Sequence, residues 1–152
     1  HFDHSGGAHG IRERLRCPVV AHALDARFVE VGDSRVTAAA WSGASMLACH
    51  IDRKLLAAEE EIGLGERTIS ALHIPGHSPG SVAYVTVSQG QKVLFGQDVH
   101  GPLHRSLLSD RAAYRDSLQR LLDLEADILC EGHFGVVSGR DDVAAFIRSY
   151  LV

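Results

Sequence analysis

His1-Phe2-Asp3-His4 packs three metal-ligand side chains into four positions. Two imidazoles and a carboxylate so close together are too crowded for one ion. They suit two adjacent ions, because neighbouring side chains point to different sides of a turn. Three later segments carry the same residue types: His77 in Pro75-Gly76-His77-Ser78-Pro79-Gly80, Asp98 in Phe95-Gly96-Gln97-Asp98, and His133 in Glu131-Gly132-His133.

The elements around these residues predict why they meet. Ser5-Gly6-Gly7 reads as a small-residue turn that lets backbone pass close to bound ions, and Ile11 to Arg16 as a short helix. Pro18 to Ala21 is a brief apolar run that fits a buried parallel strand. Leu24, Phe28 and Val31 fall at helical spacing. Asp33-Ser34 offers an N-cap for a second helix over Arg35 to Trp41, which Gly43 would end. From Ile51 the period changes to two. A hairpin is expected around Gly63 to Gly65, continuing through Ile69 to Ile74. Strands are expected over Ser81 to Val87 and Lys92 to Phe95, joined by a turn at Ser88 to Gln91. Asp110 caps a clear helix that turns Tyr114, Leu118, Leu121 and Leu122 to one side. Ala126 to Cys130 reads as a strand. Asp141 or Asp142 begins a last helix with Val143, Phe146, Ile147 and Leu151 inward. In this α/β pattern His77 and His133 follow strands and Asp98 ends one, so all three converge on one sheet edge, where α/β proteins place their sites.

Size and composition set the bounds. The 152 residues fit one domain with a real core. Hydrophobic residues at 45% and charged residues at 22% are ordinary globular values. A net charge of -4 gives no electrostatic case for nucleic acid or an anionic membrane surface. Apolar runs are interrupted by charge, so neither a transmembrane helix nor a signal peptide is expected, and a cytoplasmic home follows as an expectation. Cys17, Cys49 and Cys130 are odd in number and widely spaced, which argues for free thiols.

The order, type and spacing of the six ligand candidates resemble the metallo-β-lactamase-fold hydrolases, whose signature is His-x-His-x-Asp-His followed by His, Asp and His. The resemblance runs from His1 to the last helix. It implies an αββα sandwich, with the N-terminal strands and the first His of the signature expected upstream of His1. It also implies two divalent ions, zinc first and iron or manganese as alternatives. His1 and His77 would hold one ion and Asp3, His4 and His133 the other, with Asp98 between them. Asp3 and Asp98 become the catalytic carboxylates, and a metal-bridged hydroxide the nucleophile, on a small-molecule thioester or ester. Within the family the chain is most similar to the glyoxalase II-like thioesterases, which share the Pro-Gly-His-Ser-Pro-Gly-Ser turn. Asp98 separates it from zinc β-lactamases that use Cys there. Family members often pair, so a homo-oligomer is an expectation.

The remaining residues carry weaker readings. His100 and His104 follow Asp98 and are candidates for the substrate pocket, or else a polar surface loop. His73 is a candidate to hold a ligand in one tautomer. His9, His22 and His50 read as structural or surface, Cys130 as a buried strand thiol or a redox-sensitive neighbour of the metals, Trp41 as core or pocket wall, and Arg53 and Lys54 as a solvated strand end. Two other functions stay open: an iron-dependent, persulfide dioxygenase-like oxidoreductase on the same fold, and a metal-poor binding domain.

Overall fold

The computed structural model describes residues 1–151. The ligand run is itself helical: α1 spans Phe2–Ser5 with His1 at its N-cap, and α2 follows over Ala8–Leu15. The short helix expected at Ile11 is thus real but begins earlier. It buries none of its residues, and Ile11 and Leu15 lie exposed. Next come β1 (Val20–His22) and α3 (Ala23–Val31), the helix where the spacing placed it. His22 caps α3, its Nδ1 accepting from the Leu24 amide at 3.3 Å.

The helix expected over Arg35 to Trp41 does not form. Asp33 Oδ1 accepts from both the Arg35 and Val36 amides, at 2.9 and 3.0 Å, which closes a turn. Ala38 then takes a left-handed φ of 62°, and a 3-10 turn over Ala39–Ser42 carries the chain on. An aspartate that can cap a helix can equally close a turn on itself, and the small residues that follow give a helix little to bury.

Strand β2 (Arg53–Leu55) pairs in parallel with β1 in a two-stranded sheet. Arg53 and Lys54 form its solvated end, as expected, where Arg53 meets Glu60 at 3.0 Å and Lys54 meets Glu30 at 2.8 Å. A six-stranded sheet follows in the order β3 (Glu59–Leu64), β4 (Arg67–His73), β5 (Val82–Ser88), β6 (Gln91–Gln97), β7 (Ile128–Glu131), β8 (Gly135–Ser138). Its neighbours are antiparallel except β6 and β7, which run parallel. That parallel join needs a crossover, and α4 (Arg111–Asp123) provides it. Asp110 caps α4 as expected, accepting from the Ala113 amide at 2.9 Å. The sequence reading missed β8. The last helix, α5, spans Arg140–Arg148.

The strand register explains the core. Val85, Leu94, Leu129 and Val137 share one rung across β5 to β8. They pack against Tyr114, Leu118 and Leu121 of α4 and Val143 and Ile147 of α5. The adjacent rung, Tyr84, Phe95, Cys130 and Val136, lies on the other face. There Phe95 and Val136 are exposed. A second buried set, Ala26, Cys49, Ile51 and Leu55, belongs to α3, β2 and the segment between them. All three cysteines are free. No described helix is long and apolar enough to cross a membrane.

Candidate metal centre

Three loops and one helical turn bring the six predicted ligands together. His77 sits in the loop between β4 and β5, Asp98 follows β6, His133 follows β7, and α1 with its cap presents His1, Asp3 and His4. Their potential ligand atoms fall into two nests. His1, His77 and Asp98 form one, Asp3, His4 and His133 the other, each set lying within 4.8 Å of one another. Asp98 joins the two through different oxygens. Its Oδ2 lies 3.0 Å from His77 Nε2, while its Oδ1 lies 3.1 Å from His4 Nε2 and 3.0 Å from His133 Nε2.

The remaining edges are of similar length. His1 Nδ1 is 2.8 Å from His77 Nε2, and His4 Nε2 is 3.1 Å from His133 Nε2. Asp3 Oδ2 lies 3.4 Å from His133 Nε2 and 3.7 Å from His4 Nε2. A tetrahedral ion with bonds of about 2.0–2.1 Å has edges of about 3.3 Å between its ligands. The nests therefore have roughly the size of a first coordination shell.

The tautomers point the same way. His77 Nδ1 lies 2.9 Å from the Pro102 carbonyl, which can only accept, so Nδ1 carries the proton. In the neutral ring Nε2 then presents a lone pair to the Asp98 carboxylate, a repulsive pairing unless a cation stands between them. The donor set thus fits divalent ions of the kind held by imidazole and carboxylate. Where the rings donate to Asp98 instead, burial still works against its charge, but hydrogen bonds from His4 and His77 outweigh it and hold the carboxyl far below its ordinary range. The same hydrogen bond to Asp98 raises His4.

The support around the ligands is specific. Asp25 of α3 accepts from Ser78 Oγ at 2.5 Å and from the Gly80 amide at 2.9 Å, which pins the loop carrying His77. A Cβ on Gly80 would come within 2.7 Å of Asp25, so glycine is what allows that approach. In the same loop Gly76 has φ +134°, and a Cβ there would meet Tyr114 Cα and N at 2.3 Å. Ser109 Oγ donates to the His77 carbonyl at 2.6 Å, and Ser117 Oγ to the Pro75 carbonyl at 2.7 Å. Glu131, its side chain fully buried, accepts through Oε2 from the His133 and Phe134 amides at 2.7 and 3.0 Å. Its Oε1 faces His100 Nδ1 at 2.7 Å. Burial opposes the Glu131 charge, yet these contacts hold its carboxyl below the usual value.

Some expectations change. His73 does not touch a ligand. Its Nε2 bonds the Pro79 carbonyl at 2.8 Å and its ring stacks on His22 at 3.8 Å, so it braces the loop from behind. The buried His22 is lowered by desolvation and by His73. His100 borders an open cleft of about 320 Å³, beside the ligands and an apolar wall of Phe2, Trp41, Pro102 and Leu107. His104 does not border it: it is exposed, caps a 3-10 turn, and meets Trp41 edge-on at 5.5 Å. Trp41 itself is 56% exposed, so it is pocket wall and not core. Asp25 and Glu131 escaped the sequence reading. Glu131 left a signal, an acid inside an apolar strand two residues before a ligand; Asp25 left none.

Acyl-coenzyme A thioesterase MBLAC2 of Gallus gallus is 30% identical over 157 residues, covering 90% of this chain and 54% of its own length. The Homo sapiens protein of that name is 28% identical, with 88% and 53% covered. The probable metallo-hydrolase YqgX of Bacillus subtilis is 32% identical over 85 residues, or 55% of this chain and 39% of its own. The chain thus spans about half the length of the MBLAC2 relatives it matches. Among solved structures, the B3 metallo-beta-lactamase BLEG-1 superposes with a TM-score of 0.79 at 27% identity, covering 100% of this chain and 74% of that one. BJP-1 of Bradyrhizobium japonicum, at 19% identity, shares the fold with a TM-score of 0.71 over 95% of this chain and 64% of its own. A family model described as the metallo-beta-lactamase superfamily matches residues 1–133, and the chain belongs to that superfamily.

Proposed function

We propose that this chain carries the two-metal centre of a hydrolase that cleaves small thioesters or esters, in the glyoxalase II-like manner suggested by its Pro-Gly-His-Ser-Pro-Gly-Ser turn. The observation that carries this reading is Asp98, whose two carboxylate oxygens divide between the two nests of imidazoles. His1 and His77 would hold one ion, Asp3, His4 and His133 the other, and Asp98 both. Zinc is the expected metal, with iron or manganese as alternatives. When bound, the ions supply Lewis acidity toward a carbonyl oxygen and lower the pKa of water toward neutrality.

The rest of the work falls to this chain's side chains. Phe2, Trp41 and Leu107 give the acyl group an apolar wall and displace water from it. Pro102 and Glu131 fix the rings and backbone on either side, so the donors need not reorganise during reaction. Asp3, open to the cleft, is placed to take the proton that water gives up as its oxygen adds to the carbonyl carbon. The carbon–sulfur bond then breaks, and a thiolate leaves without needing an acid. Thioesters are supported by the Gallus gallus and Homo sapiens relatives, both named acyl-coenzyme A thioesterases.

The test is elemental analysis of protein purified without chelator, beside a panel of acyl thioesters and esters. About two ions per chain and metal-dependent hydrolysis are expected, with Asp98→Ala removing both the activity and bound metal. Full thioesterase activity in Asp98→Ala would refute the assignment.

A further inference from the structure

His100 borders the cleft without a place in the two-nest scheme, yet it is built like a metal ligand. Its Nδ1 faces Glu131 Oε1 at 2.7 Å. Glu131 is fully buried, and its other oxygen is already occupied by the His133 and Phe134 amides. A carboxylate only accepts, so Nδ1 carries the proton and Nε2 is left with the free lone pair. This carboxylate–imidazole pairing is the arrangement that orients histidines toward metals. His77 has the same arrangement, with the Pro102 carbonyl in the place of the carboxylate.

The position agrees with the chemistry. A ring nitrogen of His100 groups with donor atoms of Asp98 and His133, all within 4.8 Å of one another. Its ring also lies edge-on to that of His133, with centroids 5.0 Å apart. Ligands on opposite sides of one ion are separated by about 4.2 Å, twice a bond of about 2.1 Å. A shift of about half an ångström or more, easy for a side chain 20% exposed in a loop, brings His100 within that span of Asp98 and His133.

We propose that His100 is a further ligand of the ion held by Asp3, His4 and His133. With Asp98 this makes five protein donors. Five donors exceed the shell of four-coordinate zinc, so at this one position the proposal puts iron or manganese, the alternatives named above, ahead of zinc. The inference rests on the two-metal reading above, and goes beyond it in assigning a seventh ligand and a metal preference.

The experiment is a Co(II) titration of the metal-stripped chain, read by visible absorption, for the parent, His100→Ala and His100→Gln. Circular dichroism checks that each is folded, and the glutamine variant stands in if the alanine one is not. In the variants, the Co(II) at the Asp3–His4–His133 position should bind at least about 10–100-fold more weakly, the cost of losing even a partner that only orients a ligand. Its absorption bands should intensify as a ligand is lost, and added imidazole should reverse both changes in His100→Ala. Variants that match the parent in affinity and spectrum overturn the inference and leave the two-metal reading intact. Weaker binding with an unchanged spectrum overturns it too, because His100 then acts outside the shell. A parent that takes up no Co(II) overturns both.

Discussion

Asp25 is the residue on which the position of His77 depends, and its removal has a calculable cost. In Asp25→Ala the buried Gly80 amide loses its acceptor. A buried donor left unsatisfied costs about 1–3 kcal/mol. Ser78 Oγ loses a charged acceptor but keeps a partner in Ser81 Oγ at 2.8 Å, so its share is smaller, about 1 kcal/mol. Together the change should destabilise the chain by roughly 2–4 kcal/mol. Asp25→Asn keeps one carbonyl oxygen for the Gly80 amide and turns an amide NH₂ toward Ser78, which should cost about 1 kcal/mol.

The assay is urea unfolding followed by far-UV circular dichroism, because the single tryptophan, Trp41, is too exposed to report on the core. Metal must be removed first, since any ion bound to the folded chain adds stability of its own. With a urea slope of about 2 kcal/mol per molar, the alanine variant should unfold at a midpoint roughly 1–2 M lower. The order should be parent, asparagine, alanine. The same loop holds His77, so uptake of the ion shared by His1 and His77 should weaken in step. A loss below about 0.5 kcal/mol with unchanged metal uptake would mean that the loop is held elsewhere, and the reasoning fails.

Two further outcomes follow from the same packing. Gly76→Ala combines a left-handed φ with a collision against the α4 backbone, and should cost about 3 kcal/mol or more, lowering Tm by about 6–12 °C; a melt within 2 °C or so of the parent would contradict the contact. Tyr114, buried with its hydroxyl donating to the Val99 carbonyl, is pushed up to about 12 by burial. Its neutral form is the one the fold prefers, so its contribution is complete below about pH 10 and is lost as pH rises toward 12, a change of about 2–3 kcal/mol. Denaturant unfolding of the parent and Tyr114→Phe should converge in stability over that window, and parallel curves would refute the attribution.

What could be read from the sequence divides along a physical line. Candidate metal ligands come from the few residue types histidine, cysteine and carboxylate, and strand ends are where such residues can converge, so His77, Asp98 and His133 announced themselves locally. The strands over 82–88 and 91–97 did so by alternation, and α4 by an aspartate cap and one apolar face. The segment after Asp33 misled because its local signal is degenerate: one side chain can start a helix or close a turn, and only the left-handed Ala38 decided between them. Strand β8 is short, begins at a glycine, and gains its identity from pairing with β7.

The residues that support the site were hidden for a different reason. Asp25 acts on partners 53 and 55 positions away, so nothing near it in the chain marks its role. Glu131 is intermediate: its strand neighbours show that it is buried, but not that His100, 31 positions earlier, meets it. A buried carboxylate is costly unless its oxygens are fully used. At Glu131 both oxygens are used within the site, one on the backbone that presents His133 and one on His100. An apolar residue at that place would pack at less cost but would leave the His133 and Phe134 amides and His100 without their acceptor. The presence of the acid there is best explained by the two histidines it holds, which ties His100 to the metal centre by the same argument that ties His133.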